Sequence, residues 1–384
     1  LFTDAPATAA STRVINARSR AYRPPPKLSV TAFDNEFYVI DAVCQDPTDP
    51  NVLWICGEHA YTDTKGSIAK FNILTGVGTE YLQVVTFPTG KIFAGIAVDK
   101  TGRVVVTNRT IESSQVESYY SDAPYTTWTK CTRDASFPTT SAGVKDIYYD
   151  PAMEVFWWLT GTKMGVSTDG ITFYNQGYDY LANDSGSFNL SSMYWTVRLN
   201  NVGGDVLYVA SQGSLTRVLA WDDSAPFGSA PRNWQNLNGV TSPFSTSYPS
   251  ERVKDIVPSI AEDSAWMVGH NGTVIEKVGG VFDSPGVGAV DIGAQIGNDD
   301  VFRCFALRDV GKYFIATRPV STWVWYESVD MLNWEISTDF RITPYDMQAD
   351  GDDHRKICYY YDGSGMAFVS KKAAGNYEIV AITP

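Results

Sequence analysis

No apolar run in the chain approaches the roughly 18 residues that a membrane-spanning helix needs. Histidine is scarce: His59, His270 and His354 lie far apart, and the five cysteines include no close-spaced pair. A His/Cys metal centre needs such spacing, so Cys44, Cys56, Cys131, Cys304 and Cys358 are expected as buried, reduced thiols. There is no block of Lys or Arg. The 30 basic residues are scattered among 43 acidic ones, for a net charge of −13. Such a field repels a phosphate backbone and an anionic lipid surface, so neither nucleic-acid binding nor membrane insertion is expected. No Gly-rich phosphate loop, Gly-x-Ser-x-Gly elbow or Cys/His dyad stands out. The opening Leu1-Phe2-Thr3-Asp4 lacks a basic stretch, an apolar stretch and an initiating Met, as expected of a trimmed or processed chain.

Aromatic residues and turn formers are plentiful. The 384 residues include 22 Tyr, 18 Phe and 11 Trp, with 31 Gly and 19 Pro. Aromatic side chains favour pleated, half-buried surfaces, and Gly and Pro supply the turns between strands. The composition predicts an all-β protein.

From Leu28 onward one pattern recurs about every 50 residues, the length of a four-stranded propeller blade. A first apolar strand carries Asp41-Ala42-Val43, Gly95-Ile96-Ala97, Asp146-Ile147-Tyr148, Ser192-Met193-Tyr194, Asp255-Ile256-Val257, Cys304-Phe305-Ala306 or Lys356-Ile357-Cys358. A second follows each, as in Val104-Val105-Val106 and Val155-Phe156-Trp157-Trp158-Leu159. These runs are apolar on both faces and show no helical period. One antiparallel blade cannot bury two greasy faces alone, whereas radial stacking covers each with the next blade. The expectation is a seven-bladed β-propeller over residues 28–384, closed by one strand from each terminus, Leu28–Ala32 and Tyr377–Ile382. A two-domain β protein is the alternative.

Residues 1–27 differ from the rest. Ala, Thr and Ser lead into Arg18, Arg20 and Arg23 and then Pro24-Pro25-Pro26. Consecutive prolines favour an extended polyproline conformation. The expectation is an extended N-terminal arm that lies on a neighbouring subunit, with a mobile tail as the alternative.

Late in the third repeat stands Ser167-Thr168-Asp169-Gly170-Ile171-Thr172-Phe173. Late in the sixth, Ser328-Val329-Asp330-Met331-Leu332-Asn333-Trp334 keeps the Ser, the Asp and the aromatic but not the Gly. Ser121-Asp122-Ala123-Pro124-Tyr125 with Trp128 is a looser echo. These segments resemble the Asp-box of the sialidase-like (BNR) β-propeller superfamily, one residue shorter. Asp46-Pro47 and Asp150-Pro151 resemble the inner-hairpin turns of the same propellers. The truncated turns also resemble those of tailed-bacteriophage tail and decoration proteins. The resemblance implies a structural role for Ser167, Asp169, Gly170, Phe173, Ser328, Asp330 and Trp334: side chains satisfy turn amides and the ring packs between sheets.

No catalytic constellation follows. The sialidase signature Phe/Tyr-Arg-Ile-Pro is only imitated by Phe340-Arg341-Ile342-Thr343, late in the chain. The recurring Asp41, Asp146 and Asp255 are read as ordering a turn or rim. Asp350, Asp352 and Asp353, beside His354, offer oxygens to Ca²⁺, against a solvated turn. Asn298-Asp299-Asp300 reads the same way. Tyr178, Tyr180, Trp323 and Trp325 are candidate contacts for a protein partner or glycan, against inter-blade packing for the Trp323 run. The expected function is a non-enzymatic structural or binding propeller, most specifically a virion protein of a tailed bacteriophage that contacts other subunits through its arm, and cell-surface glycan through its loops. The competing readings are a glycan-active enzyme or lectin of the sialidase-like superfamily, and a secreted propeller.

Overall fold

The structure, a computed structural model, describes residues 27–33, 37–59, 65–86, 92–109, 118–134, 144–175, 193–221, 234–236, 253–276, 289–317, 324–338 and 358–383, less short breaks between strands inside those spans. Strands and turns account for all of them; no helix occurs among the described residues. The strands form seven separate sheets.

Six sheets are read off in chain order as simple up-and-down meanders. Blade 1 is Phe37–Asp46, Asp49–His59, Lys65–Asn72 and Val77–Thr86. Blade 2 is Ile92–Val98, Val104–Arg109, Ser118–Ser121 and Thr129–Lys130. Blade 3 is Val144–Asp150, Val155–Thr160, Met164–Ser167 and Thr172–Asn175. Blade 4 is Met193–Asn201, Gly204–Ser211, Val218–Trp221 and Trp234–Asn236. Blade 5 is Val253–Pro258, Ala265–Gly269, Thr273–Glu276 and Val290–Asp291. Blade 6 is Val301–Leu307, Lys312–Thr317, Val324–Ser328 and Glu335–Ile336.

Blade 7 takes Cys358–Tyr361, Gly365–Ala373 and Asn376–Thr383 from the C-terminal end. Its outermost strand is Lys27–Phe33, antiparallel to the last strand from Lys27↔Thr383 to Phe33↔Tyr377. The strand therefore begins at Lys27, the residue at which the sequence reading ended the arm; residues 1–26 lie outside the described residues. Among the described residues, blade 3 alone gains a fifth strand: Thr132–Arg133, leaving blade 2, runs parallel to Thr172–Asn175.

First strands pack against one another around the ring: blade 1 on 2, 2 on 3, 3 on 4, 4 on 5 and 5 on 6, with blade 7 back on blade 1. The side chains show why. In blade 2, Ile96, Val98, Val104 and Val106 join Trp54, Cys56 and Ile68 of blade 1 in one buried cluster. The alternate residues Ala97 and Val105 join Ile147, Phe156, Trp158 and Phe173 of blade 3 in another. Period-2 alternation sends successive side chains to opposite faces, and here both faces meet a neighbour. That is why Val104-Val105-Val106 is apolar throughout and wholly buried. A third cluster joins Val257, Trp266 and Val268 of blade 5 to Cys304, Ala306 and Tyr313 of blade 6.

Asp residues close the inner hairpins. Asp46 accepts from the Thr48 N–H (3.0 Å), the Thr48 hydroxyl (2.6 Å) and Trp54 Nε1 (3.1 Å). Asp99 accepts from the Thr101 N–H and hydroxyl and the Arg103 N–H. Asp150 accepts from the Met153 N–H at 3.3 Å. These are Asx-type turns, in which a short carboxylate substitutes for a backbone acceptor. Burial works against the charge of Asp46, but Thr48, Trp54 and Lys70 outweigh it and hold its pKa below the ordinary value.

Candidate functional site

The two Asp-box-like turns share one hydrogen-bond circuit. In blade 3, Ser167 Oγ accepts from the Gly170 N–H (2.9 Å), and Asp169 Oδ1 accepts from the N–H groups of Ile171 (2.8 Å) and Thr172 (3.0 Å). The Ser167 hydroxyl donates to Asp169 at 2.8 Å. In blade 6, Ser328 Oγ accepts from the Met331 N–H (3.0 Å), and Asp330 Oδ1 accepts from Leu332 and Asn333, both at 2.9 Å. The fourth residue is left-handed in each: Gly170 at φ 68° and Met331 at φ 66°. Blade 6 thus adopts the turn without the glycine, and buries the Met331 side chain completely in the cluster between blades 5 and 6.

The aromatic ends of the motifs face inward. Phe173 stacks on Trp158 with centroids 3.6 Å apart and planes 4° from parallel. Trp334 is buried in the cluster of blades 5 and 6, and its Nε1 donates to Met331 C=O at 2.9 Å. The looser echo in blade 2 departs from the circuit. Asp122 receives both arms of Arg103, at 2.8 Å each, while Tyr125 takes the left-handed position at φ 63° and its hydroxyl donates to Gly102 C=O.

Both turns sit where the chain passes from the preceding blade. Arg103 of blade 2 lies over the Tyr120 ring and donates through Nη1 to Asp169 C=O, linking blades 2 and 3. The Cys131 thiol is buried within 3.4 Å of Gly170 C=O, and burial pushes its pKa far upward, as expected of an inert thiol. At the inner strands, Asp41 accepts from the Phe93 N–H (3.1 Å) and Asp255 from the Cys304 N–H (2.9 Å), each across a blade boundary. The recurring acids of the first strands are inter-blade latches at these two positions.

Asp169 and Asp330 stay charged to lower pH than usual. Burial opposes their ionisation, but the turn amides outweigh it, joined by the Ser167 hydroxyl for Asp169 and the Asn333 and Ser328 side chains for Asp330. A depressed folded pKa contributes stability that is complete above the unfolded value, about 3.9 for Asp, and is lost as pH falls through the folded value. The double variant Asp169→Asn/Asp330→Asn is expected to lose less melting temperature than the parent between about pH 5 and pH 3. Equal slopes in a thermal-melt series would show that the two carboxylates carry no linkage.

Other sequence-selected residues fall as follows. Trp325 is 4% exposed and packs edge-on to Phe305 at 5.8 Å, so it is a packing residue and not a surface contact. Tyr178, Tyr180, Trp323, the arm residues Arg18, Arg20, Arg23 and Pro24–Pro26, and Asp350, Asp352 and Asp353 lie outside the described residues, as do Phe340–Thr343. Cys44, Cys56, Cys131 and Cys304 are reduced thiols, and all but the half-buried Cys44 are buried. Among the described residues no group of three His, Cys, Asp or Glu side chains is placed to hold a metal ion.

Several tertiary devices carry little signal in the sequence. Glu327, buried in blade 6, accepts from Lys312 Nζ (2.7 Å) and the Ser337 hydroxyl (2.6 Å). Gln295, in the passage from blade 5 to blade 6, donates to Leu332 C=O (3.0 Å) and accepts from the Trp334 N–H (2.8 Å). A charge inside the apolar run Trp325-Tyr326-Glu327 was the only hint of the first.

No protein-family model matches the chain, and no curated protein matches it. Solved structures do. The WD40 repeats of RRP9 align over 94% of this chain and 100% of theirs, with a TM-score of 0.54 at 10% identity. The chain is a β-propeller. The U3-55K structure gives a TM-score of 0.53 at 9% identity, over 93% of this propeller and 99% of that chain. The β-propeller domain of Cps50 (Swd1) from Myceliophteria thermophila gives 0.53 at 7%, over 94% and 100%. At such identities the likeness carries the fold alone, because one fold hosts many functions. These likenesses support the propeller fold and not the sialidase-like superfamily that its two turns resemble.

Proposed function

We propose that this propeller is a non-enzymatic scaffold for protein–protein contacts. One observation supports the reading above others: six acids of the repeats are committed to the fold. Asp41 and Asp255 hold the next blade's amides, Asp46 and Asp99 hold inner hairpins, and Asp169 and Asp330 hold outer turns. Asp46, Asp169 and Asp330, each held below the ordinary carboxylate pKa by its hydrogen-bond donors, are poor general acids. What faces outward instead is an outer rim with exposed apolar side chains, Tyr174, Val290, Val329, Leu332 and Ile336.

The finer reading is a subunit of a larger assembly, a tail or decoration protein of a tailed-bacteriophage virion. The short Asp-box-like turns support it, together with a basic, proline-bearing N-terminal segment suited to reaching a neighbour. Purification under native conditions tests both levels. Recovery of capsid or tail proteins with the chain is the expected result. A clean monomer that cleaves members of a glycan array would replace the scaffold reading with the enzymatic one.

A further inference from the structure

Blades 3 and 6 carry the same outer turn, yet their outer edges end differently. In blade 3 the edge is covered by backbone. The Thr132 N–H donates to Ile171 C=O (2.8 Å) and the Asp134 N–H to Phe173 C=O (2.9 Å), so that Thr132–Arg133 runs as a parallel fifth strand. In blade 6 the residues equivalent to Ile171 and Phe173, counted from the motif serine, are Leu332 and Trp334. There one side-chain amide, that of Gln295, stands in the place of the first peptide of the covering strand. The second bond of blade 3 has no counterpart among the described residues.

Among the described residues, the strand Glu335–Ile336 therefore presents an open edge. The Ser337 N–H points inward to Trp325 C=O at 2.8 Å. Antiparallel alternation then directs the N–H and C=O of Ile336 and the C=O of Trp334 outward. The same hairpin carries exposed apolar side chains: Ile336 is 53% exposed, Val329 50% and Leu332 38%. Exposed edges of this kind accept an added strand. Among the described residues of this rim, Glu335, Asp330 and, on the neighbouring blade, Asp291 are exposed acids.

We infer that the outer edge of blade 6 is the docking site of the chain's own N-terminal segment, residues 1–26, supplied by the same copy or by a second one. That segment carries Arg13, Arg18, Arg20 and Arg23 against a single acid, Asp4, and an apolar pair, Val14-Ile15. Its charge complements the rim, and its apolar pair suits Ile336 and Leu332. It leaves the fold at Lys27, on the outermost strand of blade 7, which follows blade 6 in the chain. Twenty-six extended residues reach about 85 Å, well beyond a neighbouring blade. The docking mode is that of the fifth strand of blade 3, with a peptide backbone taking up the groups that Gln295 leaves open. The inference builds on the scaffold reading only in treating the outer rim as the interacting surface.

Photo-cross-linking in the full chain tests it. A benzoylphenylalanine probe replaces Ile336 in one variant and Val329 in another, both exposed positions, and adducts are mapped by mass spectrometry after digestion. The expected adducts carry peptides from residues 1–26, and their size on a denaturing gel separates same-chain from two-chain docking. In the Ile336 probe chain, adding Glu335→Lys is expected to lower the yield about twofold to fivefold, the range set by one exposed ion pair. Adducts from both positions that carry only other segments or other proteins would overturn the inference. So would the absence of adducts in probe chains that melt at the parent temperature. Failure here leaves the co-purification result intact, so the two readings fall separately.

Discussion

Replacing Trp158 by alanine is expected to destabilise the protein by about 3–5 kcal/mol, the range for removing a large buried aromatic side chain. The residue is 1% exposed, lies on the second strand of blade 3 and stacks face to face with Phe173 of the outer turn. It also sits in the cluster that joins blade 3 to Val105 and Ala97 of blade 2. The truncation removes packing inside a sheet and between sheets at once, and the rigid neighbours can close the void only in part. Urea unfolding followed by intrinsic fluorescence and by circular dichroism measures the loss. A shift in midpoint corresponding to less than about 1 kcal/mol would show that the inter-blade contact collapses around the gap.

The second large effect is expected at Gly170. A Cβ there would lie 2.9 Å from Phe156 Cε2 and 2.9 Å from Val105 Cγ2, and the backbone is left-handed at φ 68°. Left-handed strain in a residue with a side chain costs of the order of 1 kcal/mol or more, and overpacking adds about 1–3 kcal/mol. Gly170→Ala is therefore expected to cost about 2–4 kcal/mol in the same unfolding experiment. Met331 occupies the matching left-handed position of blade 6, where its side chain fills space between blades instead of colliding. Met331→Gly relieves backbone strain but empties that space, so it is also expected to destabilise, by less than the roughly 2–5 kcal/mol of an ordinary buried Met truncation. If Gly170→Ala were neutral while Met331→Gly were severe, crowding at Gly170 would not be the reason glycine stands there.

The pair shows how far a motif reads from sequence. The Asp-box resemblance already implied that Ser167 and Asp169 bind turn amides, and the N–H donors lie two or three residues away. The missing glycine at 331 raised a question that only packing answers. Trp325 illustrates the opposite limit. Its place in the run Trp323-Val324-Trp325-Tyr326 favours inter-blade packing without excluding a surface platform, and the arrival of Phe305 beside it decides for the core.

Strand identity and the succession of four-stranded sheets were legible along the chain because their causes are local. Alternating side chains, turn formers and a spacing near 50 residues each operate within one repeat, and the runs apolar on both faces already demand neighbours on both sides. What the folded ring alone decides is which atoms meet across its seams. Asp41 reaches the Phe93 amide 52 positions away and Asp255 reaches that of Cys304 49 positions away. The fifth strand of blade 3 and the lone amide of Gln295 at blade 6 are likewise products of two blades meeting. No pattern within a repeat encodes such partners, because the distance between them is set by how the sheets twist and stack, and not by the residues in between.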